Sequence, residues 1–291
     1  MELLSTPASR LHCCSWICED KIRGRQPNGF YRFPQGLHRA PRRLVSNSKE
    51  LRYQGNSFES NHASFNKEAL ILKQKSEDIV LQLNGRSIYL VGMMGSGKTT
   101  VGKILSEVLE GYSFIDTDRL VEQAVGGGAS VTQIFIENGE DTFREKKSEA
   151  LQGLSIMRRL VVATGGGAVI RKENWEYMKH GVTVWLDVPL ESLAKRISIV
   201  GINSRPLLRC QESSGNAYVD ALKELTDIFG KRSRKYANAN ARVCIEHIAS
   251  KLGLVDVSHL TATAIATDAL IQIENFVKEK EDGNKATPRN S

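Results

Sequence analysis

The sequence predicts an α/β protein, a parallel sheet flanked by helices and organised around one phosphate-binding loop. Three observations carry this. Short apolar runs rich in strand formers alternate with stretches of helical apolar spacing, the pattern of a parallel sheet. The run Gly92-Met93-Met94-Gly95-Ser96-Gly97-Lys98-Thr99 fits G-x-x-x-x-G-K-[ST] at every fixed position, between a strand and a helix. Asp116-Thr117-Asp118 and Gly165-Gly166-Gly167 each follow a predicted strand, at the carboxyl edge where such sheets bind ligands.

The elements follow in order. Residues 66–83 alternate charged and apolar positions at helical spacing and predict a leading helix. The first strand is Ser87–Val91. After the glycine loop, Val101, Ile104, Leu105 and Val108 mark one face of a helix. Tyr112–Ile115 is the second strand. Val131–Ser155 reads as two helices broken near Asn138-Gly139. The third, fourth and fifth strands are Leu160–Thr164, Val182–Asp187 and Arg242–Ile245. A last helix runs from Thr261 to about Glu281, with Ile265, Leu270, Ile271, Ile273 and Phe276 on its apolar side. The polar tail from Asp282 is expected to be disordered.

The 291 residues suffice for one large or two small domains. The formal net charge is +7, but residues 1–56 hold ten Lys/Arg against four acids, so nearly all the excess lies there. The rest is almost neutral, which argues against nucleic-acid binding by the folded part. No apolar run reaches membrane-spanning length, so no membrane association is expected. Cys13, Cys14, Cys18, Cys210 and Cys244 show neither a disulfide framework nor a zinc spacing. Residues 1–60 are Arg-rich, acid-poor and without sustained periodicity, the composition of an organelle transit peptide. A disordered basic arm that binds nucleic acid or anionic lipid is the other reading of that composition.

The chemistry of the cleft follows from residue type. Glycines in the loop let backbone N–H groups turn inward as an anion nest, and the following helix adds its positive end. Lys98 is expected to reach the β- and γ-phosphates of a nucleoside triphosphate, and the Thr99 hydroxyl to bind Mg²⁺. Asp116 and Asp118 are expected on one side of an extended segment, one for the ion and one as base for a hydroxyl acceptor. A helix N-cap is the plainer reading of one Asp there. Gly165–Gly167 lets the backbone approach a ligand. Arg144 matches a carboxylate by its fork. Arg205, between polar stretches containing Gly201 and Asn203, is expected on a mobile lid over the phosphates. Asp187 reads as a strand end before Pro189, not as a metal ligand.

Taken in this order and spacing, Gly92–Thr99, Asp116-Thr117-Asp118, Phe143-Arg144, Gly165-Gly166-Gly167, Arg205-Pro206-Leu207-Leu208 and Arg232 with Tyr236 resemble the shikimate kinases, over about residues 85–254. The basic leader fits the plastid-targeted plant form. The resemblance implies a P-loop, nucleoside-monophosphate-kinase-like fold with a five-stranded parallel sheet and a lid. It also implies ATP-dependent phosphorylation of the shikimate 3-hydroxyl with Mg²⁺, in the chloroplast stroma. By the same resemblance Gly95, Ser96, Gly97, Lys98, Thr99, Thr100 and Arg205 contact the nucleotide. Thr99 and Asp116 hold the metal. Lys98, Asp118 and Arg205 are catalytic. Asp118, Arg144, Gly165, Gly166, Gly167 and Arg232 bind substrate. The partners expected are shikimate and the plastid import machinery, for a monomer or homodimer.

This sequence departs from the family at one position. The family's Glu three residues after the Phe-Arg arginine is here Lys147. A helical turn places that residue beside Arg144. The expectation is therefore that Lys147 leaves the Arg144 fork unoriented, and that Lys147→Glu lowers the shikimate KM. Three other readings exist: a kinase-like protein without activity, another small-molecule kinase such as a gluconate or nucleotide kinase, and a regulatory GTPase. Asn-Lys-x-Asp, which a GTPase would need for guanine, is missing from the sequence.

Overall fold

The computed structural model describes residues 50–125, 130–200 and 215–285. The basic leader up to residue 49, the Arg205 segment, four of the five cysteines and the last six residues lie outside that set. The chain divides into two units, Met1–Ala63 and Ser64–Ser291. Of the first, only the start of a helix is described.

The second unit is built on five parallel strands: β1 (Ile88–Val91), β2 (Ser113–Asp116), β3 (Leu160–Ala163), β4 (Val182–Asp187) and β5 (Ala241–Cys244), in the order β2-β3-β1-β4-β5. Every residue of β1 and β3 is buried. Unbroken burial over successive positions is what a parallel sheet covered on both faces requires. It is also why these strands read as continuous apolar runs and not as alternating ones. β1 and β3 are both central, so the loops after them, Gly92–Gly97 and Gly165–Gly167, emerge side by side.

The helices are α1 (Glu50–Leu83), α2 (Lys98–Val108), α3 (Thr117–Val125), α4 (Val131–Ser155), α5 (Lys172–Met178), α6 (Leu190–Val200), α7 (Ala217–Tyr236), α8 (Ile245–Lys251) and α9 (Ala262–Lys285). Two of them are longer than expected. α1 begins at Glu50 and not at Asn66, so it enters the stretch assigned to the leader. Leu72, Ile79 and Leu83 anchor its second half in the core, and extending an anchored helix costs less than nucleating one. α9 runs on to Lys285, through the first polar residues of the expected tail. The break in α4 falls where Asn138-Gly139 predicts it: Gly139 has φ 82° and ψ 162° inside the helix. The start of α4 is fixed by a capping box. Gln133 N–H donates to Ser130 Oγ, and the Ser130 N–H donates to Gln133 Oε1.

Two cores form. The large one joins the sheet to α1, α2 and α9 through residues such as Leu83, Leu105, Val162 and Ile273. The small one is Val121, Ile134 and Phe143, with Val131 and Phe135 packed against it. The Phe135 and Phe143 rings lie 4.7 Å apart. This small core fastens α3 to α4, and so sets the helices that carry Asp118, Arg144 and Lys147. No helix among the described residues is long and apolar enough to cross a membrane.

Candidate active site

The glycine loop is shaped to receive an anion. Gly95 and Gly97 have φ 78° and 89°, values that side chains disfavour. No side chain caps α2 at Gly97, and the N-terminal end of a helix favours an anion. A Cβ added at Gly97 would meet no atom within 4 Å. Lys98 is buried and folds back on the loop, its Nζ donating to the carbonyls of Gly92 (2.9 Å) and Met93 (2.8 Å) and to Ser96 Oγ (3.3 Å). Its charge is thereby held inside the cradle. From α6, Arg196 Nη1 donates to the Gly95 carbonyl at 3.2 Å. Thr100 is exposed in the first turn of α2.

Thr99 Oγ1 donates to Asp116 Oδ2 at 2.9 Å, which joins the end of the loop to the end of β2. Among the described residues no cluster of three or more His, Cys, Asp or Glu side chains is placed to hold a metal. A hydroxyl beside a single carboxylate fits Mg²⁺, an ion that takes its remaining ligands from phosphates and water.

Asp116 and Asp118 are not on one extended segment as expected. β2 ends at Asp116, Thr117 opens α3, and Asp118 sits in the first helical turn. The chain turns here because Asp116 caps it: its Oδ1 accepts the Asp118 N–H at 3.0 Å. Asp116 thus serves as helix cap and points its other oxygen at Thr99. Thr117 faces inward, donating to the Ala163 carbonyl (3.3 Å) and accepting the Gly165 N–H (3.3 Å). It ties the acidic turn to the glycine triplet.

That triplet is held from α7. Arg232 Nη1 (3.1 Å) and the Tyr236 hydroxyl (2.9 Å) both donate to the Gly166 carbonyl. Tyr236 is buried between Trp185 and Phe229, and burial pushes its hydroxyl up to about 12, so it remains a donor. A Cβ on Gly166 would lie 3.3 Å from the Met94 backbone nitrogen and 3.7 Å from Arg232 Nη1. The glycine triplet, the phosphate loop and Arg232 therefore meet. Gly167 opens the short 3₁₀ turn Ala168–Ile170.

The reading of Lys147 is corrected. Its Nζ lies 2.6 Å from Asp118 Oδ1 and does not face Arg144. Arg144 has a carboxylate of its own in Glu140, one turn earlier on α4. The guanidinium is oriented, and the premise for a lower KM in Lys147→Glu is gone. Asp187 is held by Arg242, whose Nε donates to Oδ2 at 2.8 Å while its guanidinium covers the Trp185 ring. The strand-end reading of Asp187 agrees with that geometry. Arg205 lies outside the described residues.

Three comparisons bear on this arrangement. The family model for shikimate kinase matches residues 94–271, more than half of the chain. The chain belongs to the shikimate kinase family. It is 61% identical over 213 residues to shikimate kinase 3, chloroplastic, of Oryza sativa subsp. japonica, covering 73% of each chain. It is 47% identical to the chloroplastic shikimate kinase of Solanum lycopersicum, over 92% of this chain and 95% of the relative. Among solved structures, shikimate kinase from Acinetobacter baumannii in complex with shikimate is 29% identical, with a TM-score of 0.53, covering 71% of this chain and 98% of that one. Within this shikimate kinase, sequence reasoning missed Glu140, Arg196 and the Lys147–Asp118 contact. The i, i+4 spacing of Glu140 and Arg144 is a signal that could have found the first. The other two join residues distant in sequence and leave no local trace.

Proposed function

We propose that this protein transfers the γ-phosphoryl group of ATP to the 3-hydroxyl of shikimate, in the plastid. One observation carries the reading. The Lys98 cradle, the Thr99–Asp116 pair, Asp118 and the Gly166 carbonyl clamp converge at the carboxyl ends of β1, β2 and β3. An anionic polyol acceptor needs cations for its carboxylate and an acceptor for its hydroxyl proton. Arg144 and Arg232 supply the first, and Asp118 the second. The loop N–H groups and Lys98 bind the phosphates and balance their charge, a form of catalysis by placement and electrostatics. Thr99 and Asp116 would hold Mg²⁺, which when bound spreads the charge of the phosphate oxygens. Arg205 is assigned to the transferring phosphate. The basic leader and the chloroplastic naming of the rice and tomato relatives support the plastid address.

A coupled assay of ADP release with shikimate, gluconate and nucleoside monophosphates tests the reading. We expect turnover with shikimate alone. Turnover with gluconate or a nucleotide and none with shikimate would overturn it.

A further inference from the structure

The Asp118 carboxylate is asymmetric. Its side chain is 41% exposed, yet Oδ1 is shielded from solvent, so the exposed part is the Oδ2 edge. The Lys147 ammonium lies 2.6 Å from that shielded oxygen, and the Lys147 side chain is only 6% exposed. It is packed between the Phe143 ring, 5.2 Å from Nζ to the centroid, and the backbone of Gly165. A Cβ at Gly165 would overlap the ammonium. The glycine therefore makes the room that the lysine fills. Since α4 carries Lys147 and α3 carries Asp118, and the small core fastens the two helices, this contact is set by packing on both sides.

We propose that Lys147 is a positioning residue for Asp118. It grips Oδ1 from within the protein and so presents Oδ2 to the acceptor hydroxyl. The inference rests on the placement of Asp118 as the group that faces that hydroxyl. An ammonium buried at this point without its carboxylate would be costly, and a carboxylate oxygen buried without a cation equally so. The pair therefore locks one rotamer of the base. In this protein the cation takes a position where the family resemblance leads one to expect a carboxylate. It works on the proton-accepting group and leaves Arg144 to Glu140.

The test is steady-state kinetics with ATP and shikimate, plus ATP affinity, on the full chain. The variants are Lys147→Met, Lys147→Gln, Lys147→Glu, Asp118→Asn and the Lys147→Met/Asp118→Asn pair. Lys147→Met is expected to lower kcat about 10- to 100-fold, the range for losing a group that orients a reacting one. ATP affinity should hold, which also reports a folded protein. Lys147→Gln keeps a polar N–H group where the ammonium lies beside Oδ1 and should retain more turnover than Lys147→Met. In the Asp118→Asn background Lys147→Met should cost nothing further, because the two act as a unit. An unchanged kcat with a raised shikimate KM would make Lys147 a substrate contact and overturn the proposal. So would a fall in kcat that is additive with Asp118→Asn, or a Lys147→Glu variant more active than the native protein. Full turnover in Asp118→Asn would refute the role of Asp118 itself, a different failure from an impaired Asp118→Asn with an indifferent Lys147→Met.

Discussion

Asp116 and Tyr236 show how single side chains at this site do two things. Asp116 divides its two oxygens between the α3 cap and the Thr99 hydroxyl. Tyr236 stacks 5.7 Å from Trp185 and still spends its hydroxyl on the Gly166 carbonyl. Arg232 shares that carbonyl, so removing the tyrosine hydroxyl leaves one donor in place. Tyr236→Phe should therefore cost only about 0.5–1.5 kcal/mol of stability, the usual net value of one hydrogen bond. If the triplet contacts the acceptor, as proposed, the shikimate KM should rise more than the ATP KM. Thermal unfolding and two KM values check this; a rise confined to ATP would place the triplet on the nucleotide side. What the sequence shows at such positions is residue type and spacing. Those made Gly92–Thr99 and Asp116/Asp118 readable. They did not reveal that Lys147 reaches Asp118. A helical repeat gives the angle at which a side chain leaves the axis, but a lysine is long enough to choose among partners at that angle.

Among the strands and helices, the tight places are backbone approaches. Gly181 precedes β4, and its neighbour Val182 donates its N–H to the Ser87 carbonyl at 2.8 Å. A Cβ at Gly181 would overlap that same Ser87 carbonyl oxygen and press on the Tyr89 ring at 2.8 Å. Neither can retreat, since Ser87 leads into β1 and Tyr89 is buried in it. Gly181→Ala should destabilise the fold by about 1–3 kcal/mol, as overpacking does. Denaturant unfolding measures it, and a variant as stable as the native chain would mean that β4 can shift away from β1. The same packing explains which elements were readable. All five strands were: β1, β3 and β4 because burial on both faces forces apolar runs, and the more exposed β2 and β5 by their strand-forming residues. The full extents of α1 and α9 were not: residues 50–60 read as leader by their composition, and residues 282–285 are a polar run with no apolar position to mark a helix face.

On the proposed function, the molecule as a whole separates an address from a catalyst. The contact pattern breaks between Ala63 and Ser64, while Leu72, Ile79 and Leu83 of the same helix are fully part of the core. Lys75 and Glu274 pair at 3.1 Å and tie that helix to α9. A chain beginning at Ser64 should therefore unfold cooperatively and keep its turnover, but fail to enter isolated plastids, which the full chain should enter. Loss of the cooperative transition would show that the leader is part of the fold. A chain beginning at Arg86 should lose that transition, because it strips Ile79 and Leu83 from the core.

The small core of Val121, Ile134 and Phe143 has a consequence for how this enzyme can change. It shares no buried residue with the large core under the phosphate loop. On the proposed function, the two helices it joins face the acceptor, whereas the phosphate loop and α2 face the nucleotide. Changes that retune one customer of the active site need not disturb the other. Lys147 is a case in point. Its ammonium meets Asp118 and so joins α4 to α3, away from the Lys98 cradle. Variation in acceptor choice across such proteins should therefore gather in α3 and α4, while the loop from Gly92 to Thr99 stays as it is.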